Sequence, residues 1–308
     1  MLDVLDFEIA LPDRVETMVD ISSDLSLSQN QIRMFTRFFG FDQFHCDHDG
    51  TLQQLAGDAC AKLLNRNQTL DDHLSHVIHC HTLPSNWIVS STTSPTLAPF
   101  YERGIEVFSA SMNHCATGIS MLDTLDQLLG EDDVGLILIA DKAFHPDIRV
   151  IENITIMGEA AAAILVARRP GRYRVKGSYT HHETRFWQNS GHKNEGFLEG
   201  FGNGYMDFAC SALDGALAHF GVDWDDISYV LPHNVNLTSW YQIGDRLGIQ
   251  REKLCLSTVS QYGHCFGADP FINLQHTIAM NALKRHDLVL LISVGLGATA
   301  STALIQMG

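Results

Sequence analysis

Several features that mark other classes of protein are missing from this sequence. Lys and Arg number 20 against 36 Asp and Glu, the formal net charge is −16, and the basic residues form no block. Non-specific nucleic-acid binding needs a basic surface, so we do not expect it. The longest apolar runs, Val134–Ala140 and Ala160–Ala167 among them, are too short for a membrane span, which takes about 20 residues.

The sequence also lacks targeting and metal-binding signatures. Residues 1–10 carry acidic side chains without a basic run, unlike a signal peptide, so we expect a cytoplasmic protein. The seven cysteines include no Cys-x-x-Cys pair, which indicates free thiols. The stretches His45–His48 and His79–His81 are dense in histidine but lack the spaced ligand pairs of a zinc site. We therefore predict no metal, and a surface or loop location for these histidines.

What the sequence does contain is enough apolar residue to build a large interior. Its 308 residues are 45% hydrophobic and 18% charged, which suits two domains or one large layered domain. Apolar strands alternate with helices, the pattern of an α/β fold. Two halves of similar organisation, residues 1–169 and 170–308, meet near Arg168-Arg169-Pro170-Gly171. Each half opens with a strand and closes with two small-residue, apolar strands joined by a loop.

Cys115 is the first candidate functional residue. It follows a predicted strand, Glu106–Ser111, and precedes a helix predicted from apolar residues at helical spacing, beginning with Ile119 and Leu122. The free N–H groups and the positive end of the dipole at a helix N-terminus favour the ionised, reactive thiol. From position alone, Cys115 is either a nucleophile or a small buried residue, as free cysteines usually are.

Further polar and glycine residues lie at strand ends and loop-to-helix junctions, where α/β proteins place their sites. His233 follows a predicted buried strand, and Asn236 lies in the same loop. His264 precedes a predicted helix. The turn Gly295-Leu296-Gly297 has little side-chain bulk and is suited to pointing backbone N–H groups at an oxyanion.

These segments resemble, in order and spacing, those of the β-ketoacyl-acyl-carrier-protein synthase III group of the thiolase superfamily. The family's nucleophile elbow is similar to SASMNHCATGISMLDTL, and the strand closing its first half to MGEAAAAILVAR. Its Pro/Ala-His-Gln-Ala-Asn loop is similar to PHNVN, and its Gly-Asn-Thr-Ser-Ala-Ala-Ser segment to STVSQYGHCFGADPFINL. Its closing strand, Gly-rich turn and strand are similar to DLVLLISVGLGATASTALI.

The resemblance implies a thiolase-like α/β fold, with two similar halves in five layers (αβαβα), and a homodimer. It implies an acyltransferase of fatty-acid, polyketide or secondary-metabolite biosynthesis without a permanently bound cofactor. The substrates would be thioesters of acyl carrier protein or coenzyme A.

In the mechanism that the resemblance implies, Cys115 forms a covalent acyl thioester. The N–H groups of Cys115 and of the turn Gly295-Leu296-Gly297 hold the oxyanion. His233 and the residue at position 264 bind a malonyl thioester, and Asn236 either orients His233 or stabilises its loop. Carbon dioxide leaves, and the resulting enolate attacks the acyl-enzyme.

The sequence departs from the family at position 264, where His264 replaces an Asn. Cys-His-His is the arrangement of the elongating ketosynthases, so we lean towards decarboxylative condensation. The alternative is that His264 acts as a base towards an alcohol or amine, because imidazole titrates near neutral pH. The enzyme would then transfer the acyl group to oxygen or nitrogen, as some antibiotic-pathway relatives do.

A second departure concerns the Trp and Arg residues with which relatives bind coenzyme A. Arg33 and Arg37 in the early region, and Lys142 and Arg149 in the middle, are candidates without a clear alignment. Both a carrier protein and coenzyme A are therefore retained as candidate carriers of the acyl donor.

Two further classes of function are disfavoured. A non-catalytic partner subunit would typically lack the nucleophile, whereas Cys115, His233 and His264 are all present. An amidase or cysteine protease would carry its Cys-His pair on another fold.

Overall fold

The computed structural model describes residues 2–82, 94–151, 153–189 and 197–308. The strands are β1 (Asp3–Ala10), β2 (Val15–Glu16), β3 (Phe44–His45), β4 (Leu74–Cys80), β5 (Glu106–Ala110), β6 (Val134–Asp141), β7 (Val150–Ile151), β8 (Thr155–Ile156), β9 (Ala160–Ala167), β10 (Tyr173–His182), β11 (Ile227–Pro232), β12 (Leu288–Gly295) and β13 (Thr299–Met307). The helices are α1 (Gln29–Arg33), α2 (Leu52–Arg66), α3 (Gln68–Asp71), α4 (Ala98–Glu102), α5 (Thr117–Leu128), α6 (Pro146–Arg149), α7 (Phe197–Phe220), α8 (Leu237–Leu247), α9 (Val259–Tyr262) and α10 (Asp269–Ala279). Short 3-10 segments cover His114–Ala116, Thr184–Asn189, Arg251–Lys253 and Phe266–Ala268, and a π-helical turn covers Met34–Phe38.

Nine strands form one mixed sheet, in the order β11-β12-β13-β10-β1-β9-β6-β4-β5. The first half of the chain supplies β1, β9, β6, β4 and β5, and the second half supplies the other four. The two half-sheets meet where β1 pairs with β10, Asp3 opposite Arg174 and Val4 opposite Tyr173. Two-stranded ladders, β2–β3 and β7–β8, lie outside this sheet.

Helices cover and separate the two half-sheets in five layers. The central helices α5 and α10 share an apolar core with both half-sheets, whereas α2 packs on the outer face of the first and α7 and α8 on the outer face of the second. Strand β12 shows the principle: Val289 and Leu291 join the central core, and Leu290 and Ile292 join the outer one. The thiolase-like αβαβα arrangement predicted from the sequence is confirmed.

Helix α7 is longer than predicted. The glycines between residues 196 and 204 indicated a polar loop followed by a helix at Asp207–Phe220, but the helix begins at Phe197. Gly204 explains part of the difference, because a Cβ there would lie 2.9 Å from the Phe186 ring. This glycine allows the helix to pack closely rather than interrupting it.

The prediction of free cysteines is confirmed, whereas the predicted location of one histidine is wrong. All seven cysteines are free, as predicted. The surface location predicted for His79 is wrong, because this side chain is 8% exposed within β4, and burial followed by the charge of His81 lowers its pKa to about 4. Within the described ranges, no helix is both long enough and apolar enough to cross a membrane.

Phe271 tests the central layer. This side chain of α10 is fully buried, and its ring lies 6.4 Å from that of Phe7 on β1. We expect Phe271→Ala to lower the free energy of unfolding by about 3–5 kcal/mol, because the cavity cannot fully collapse. Urea unfolding measures this, with Phe38→Ala as control, since Phe38 is 68% exposed. Equal effects of the two substitutions would contradict the packing described here.

Candidate active site

The turn that carries Cys115 is sharp. Between the end of β5 at Ala110 and the start of α5 at Thr117, Met112 and His114 adopt positive φ angles of 74° and 49°. Such backbone conformations are strained for non-glycine residues and concentrate at functional sites. Cys115 lies in the 3-10 turn that leads into α5 and is 8% exposed.

The Cys115 thiol contacts two side chains from other segments. Its Sγ lies 3.6 Å from Nε2 of His264 and accepts a hydrogen bond from the hydroxyl of Thr82 at 3.8 Å. The Cys115 carbonyl accepts a hydrogen bond from the Ser293 hydroxyl at 2.8 Å. Position 267 must be glycine, because a Cβ there would lie 2.9 Å from the same carbonyl oxygen. The second half of the chain therefore holds the nucleophile turn in place.

Asp269 completes a chain of three polar side chains. Its Oδ2 lies 2.5 Å from Nδ1 of His264, whose other ring nitrogen faces Cys115. The carboxylate is fully buried and also accepts the backbone N–H groups of Asn234 at 2.6 Å and Cys265 at 2.7 Å. As the first residue of α10, Asp269 also lies at the positive end of that helix. The result is an aligned thiol, imidazole and carboxylate.

The charges of Asp269 and Cys115 determine the pKa of His264. Burial lowers its pKa, but the carboxylate of Asp269 and the thiolate of Cys115 more than offset burial and raise the pKa to about 10. His264 is therefore an imidazolium at neutral pH. With its proton on Nε2, it can stabilise the Cys115 thiolate.

His233 lies beside His264 in the opposite charge state. The ring centroids of the two histidines are 5.5 Å apart. Full burial, followed by the positive charge of His264, lowers the pKa of His233 well below its usual value, so His233 is neutral. Its Nε2 lies 3.1 Å from the hydroxyl of Tyr205, and its Nδ1 is buried without a hydrogen-bond partner among the described residues.

Tyr205 and Asp269 are the two site residues that the sequence reasoning missed. Tyr205 belongs to the part of α7 that was interpreted as a polar loop. Burial, then the negative charge of Cys115, raises the pKa of Tyr205. The phenol therefore stays protonated and can donate a hydrogen bond to His233. Asp269 lies within the segment compared with the family, and an Asp-Pro pair opening an apolar helix was the signal that could have identified it.

Asn236 stabilises its loop, which is one of the two roles expected for it. Its side-chain oxygen accepts the N–H of Ser239 at 2.7 Å, and its amide donates to the carbonyl of Ile154 at 3.0 Å. It is the N-cap of α8 and does not orient the His233 ring directly. The contact from α8 to His233 comes from Trp240, whose indole N–H donates to the His233 carbonyl at 2.7 Å.

The glycine turn after β12 lies against the nucleophile turn. A Cβ at Gly295 would lie 2.1 Å from the Asn113 carbonyl oxygen, so the two backbones approach as closely as only glycine allows. This contact brings the turn Gly295-Leu296-Gly297 next to Cys115. The role of its N–H groups as oxyanion donors stays a prediction.

Lys142 and Arg149, two of the candidates for binding coenzyme A, make contacts within the protein. Arg149 is 6% exposed, donates to the Met157 carbonyl at 2.7 Å and forms an ion pair with Glu159. Lys142 donates to the Gly50 carbonyl at 2.7 Å and lies 3.1 Å from the Glu159 carboxylate. Both cations stabilise internal contacts and are not free to bind a phosphate. Arg33 and Arg37 are exposed.

Comparisons of sequence and fold show which known proteins this chain is similar to. A family model described as the C-terminal part of 3-oxoacyl-[acyl-carrier-protein] synthase III matches residues 217–307, which include His233, His264 and the Gly295 turn. A β-ketoacyl-[acyl-carrier-protein] synthase III of Aquifex aeolicus (strain VF5) is 23% identical over 305 residues and 97% of each chain. Along nearly its whole length the chain is therefore similar to synthase III proteins, and the family model covers its last third.

Two further comparisons extend along nearly the whole chain. Synthase III 2 of Vibrio vulnificus (strain CMCP6) is 24% identical over 324 residues, covering 97% of this chain and 86% of the relative. A solved structure described as the acyltransferase ChlB3 superposes with a TM-score of 0.83 at 14% identity, covering 99% of this chain and 97% of that one. At that identity the likeness shows the fold alone.

Labelling tests the nucleophile. We expect a thiol-reactive acyl analogue to modify Cys115, because its sulfur lies 3.6 Å from Nε2 of His264, and the modification to vanish in Cys115→Ser. Mass spectrometry of the digested protein locates the label. Cys210→Ser is the control, since Cys210 is a partly exposed thiol outside the site. A label on another cysteine in the wild-type chain would show the assignment to be wrong.

The Asp269 carboxylate makes a separate prediction about pH. In Asp269→Asn we expect the His264 pKa to fall from about 10, because the main charge that raises it is gone. The imidazolium is present below the folded-state pKa and lost as pH rises through it, so the variant loses it at lower pH. NMR titration of ring-labelled histidine measures both midpoints, with His264→Asn to assign the signal. Asp225→Asn, at an exposed carboxylate, should leave the midpoint unchanged; an unchanged midpoint in Asp269→Asn would refute the coupling.

Proposed function

We propose that this protein is an acyltransferase that takes an acyl group from a thioester onto Cys115 and passes it, without decarboxylation, to an alcohol or amine. The observation that carries the proposal is the chain from Cys115 through His264 to Asp269. A carboxylate bonded to the far nitrogen of an imidazole makes that imidazole an oriented base, the logic of catalytic triads.

The first half-reaction loads the enzyme. The Cys115 thiolate attacks the thioester carbonyl, and the tetrahedral oxyanion is held by the N–H of Cys115 and those of the turn Gly295-Leu296-Gly297. Collapse of this intermediate breaks the bond to the carrier thiol. The departing thiolate takes the proton from His264 Nε2, which leaves an acyl-Cys115 and a neutral imidazole.

The second half-reaction uses that neutral imidazole. Acylation removes the negative charge of Cys115, one of the groups that keep His264 protonated. His264 can then accept the proton of an alcohol or amine as the acceptor attacks the acyl-Cys115 carbonyl. Expulsion of the Cys115 thiolate restores the thiolate–imidazolium pair, so that each cycle returns the enzyme to its starting protonation state.

The surroundings of His233 favour this reaction over condensation. His233 Nε2 is bonded to Tyr205, and its Nδ1 is buried. To bind a malonyl carbonyl, His233 would have to give up the Tyr205 hydrogen bond. The contacts of Tyr205 and Asp269 therefore favour acyl transfer over the condensation expected from the sequence.

Decarboxylative condensation is a second candidate, and one observation favours it. An imidazolium at His264 can donate a charged hydrogen bond to an enolate oxygen. Two relatives, 23% and 24% identical to this chain, are also named β-ketoacyl-[acyl-carrier-protein] synthase III and III 2. In either reaction the proposed donor is a thioester of acyl carrier protein or coenzyme A, and the proposed assembly is a homodimer.

The two candidates differ in one product, carbon dioxide. Enzyme loaded from a synthetic acyl N-acetylcysteamine thioester is offered malonyl-coenzyme A, ethanolamine or glycerol in separate reactions. We expect acyl transfer to the amine or alcohol and no release of carbon dioxide from the malonyl thioester. Product mass spectrometry and trapping of labelled carbon dioxide measure the two outcomes.

Variants link the reaction to the base. His264→Asn should slow acyl transfer by about 10²–10⁴-fold, the usual worth of a positioned base. His276→Asn is the matched control, because His276 lies on α10 but bonds to Ser257 at the surface. Release of carbon dioxide with formation of a β-ketoacyl product would establish condensation instead, and failure to form an acyl-enzyme would exclude both reactions.

A further inference from the structure

A second cluster of reactive side chains lies beside the β2–β3 ladder, outside the Cys115–His264–Asp269 chain. Glu16, Cys46 and His48 bring one oxygen, one sulfur and one nitrogen to within 4.8 Å of one another. The His48 Nε2 is 3.0 Å from Glu16 Oε1 and 3.9 Å from Cys46 Sγ. Glu16 comes from a different part of the chain from the other two, so sequence spacing could not reveal the group.

The burial of these side chains makes the cluster unusual. Cys46 is fully buried and Glu16 is 6% exposed. The Glu16 Oε2 has no hydrogen-bond partner among the described residues, and the Cys46 thiol is one of the groups that lower the pKa of the Glu16 carboxyl against the effect of burial. A buried carboxylate oxygen without a hydrogen bond is costly unless something else binds it. His48 has half of its side chain exposed and gives the cluster a route to solvent.

We propose that Glu16, Cys46 and His48 bind a zinc ion, with a water molecule as fourth ligand. Tetrahedral zinc with ordinary bond lengths separates a sulfur and a nitrogen ligand by about 3.6 Å, and a nitrogen and an oxygen ligand by about 3.4 Å. The observed separations of 3.9 and 3.0 Å need only small adjustments. One thiolate, one imidazole and one carboxylate form a ligand set that suits zinc.

Two rearrangements accompany binding. Arg14, which lies 2.5 Å from Glu16 Oε1 but is largely exposed, moves away from the carboxylate. Cys46 loses its thiol proton, because the ligand is the thiolate. Zinc therefore displaces a proton into solvent, and its affinity rises with pH.

The site would stabilise the segment that holds His264. His45, the residue before Cys46, stacks its ring on Tyr262 with centroids 5.4 Å apart, and its carbonyl accepts the N–H of Glu159 at 2.9 Å. The adjacent Gly158 N–H donates to the His264 carbonyl at 3.0 Å. A two-residue ladder has little stability of its own, so a metal that joins its strands would fix this support.

Metal binding is tested in untagged, metal-free protein carrying Cys115→Ala, so that the nucleophile cannot bind the probe. Zinc chloride is titrated against a chromophoric chelator under reducing conditions, and cobalt chloride is added to separate samples. We expect one zinc per chain and a thiolate-to-cobalt charge-transfer band. Adding Cys46→Ser or His48→Gln should weaken zinc by at least about 100-fold, because even outer-shell changes cost 10–100-fold.

Cys60→Ser is the matched control, since Cys60 is another buried thiol but lies on α2 away from the cluster. It should retain both the zinc and the cobalt band. His48 is half exposed, so His48→Gln keeps the test informative even if Cys46→Ser fails to fold. The proposal is overturned by absence of stoichiometric zinc, by unchanged affinity in His48→Gln, or by binding that requires Cys115.

Discussion

The buried carboxylate of Asp269 is the interaction on which the rest of the site depends. A charge without solvent must be matched by charged or hydrogen-bonding partners, and three groups from two segments supply them. The loop after β11 gives the N–H of Asn234, the loop before α10 gives the N–H of Cys265, and the His264 ring gives the third contact. Asp269 thereby fixes the separation of the two histidine loops as well as the direction in which the His264 ring faces.

This carboxylate also explains why two neighbouring histidines differ. His233 and His264 are both fully buried, and burial alone would make both neutral. Among the described residues a carboxylate contacts the ring of His264 but not that of His233, so His264 takes the proton, and its positive charge then further disfavours protonation of His233. Titratable groups whose pKa values are driven apart in this way can take separate roles in one reaction. In the proposed reaction His264 donates and accepts protons, while His233 and Tyr205 form a neutral, hydrogen-bonded pair beside it.

The fold could be predicted further than the site. Apolar runs such as Val134–Ala140, and the small residues of Ala160–Ala167, show strand burial directly, because these strands are covered on both faces. Cys115, His233 and His264 lie at junctions that the pattern exposes, and the structure brings them together. Tyr205 was missed because glycines that permit close packing resemble those that end a helix, and Asp269 because its partners are distant backbone groups.

The close approach of Gly295 to Asn113 has a consequence for how such a site can diversify. The nearest atom to a Cβ placed at Gly295 is the Asn113 carbonyl oxygen, and the nearest to one at Gly267 is the Cys115 carbonyl oxygen, so both contacts are mainly between backbones. Replacing either glycine would act as a wedge between the halves rather than as an adjustment of reactivity. Chemical variation within this architecture is therefore confined to the side chains at positions such as 205, 264 and 269, while the backbone around the nucleophile stays fixed.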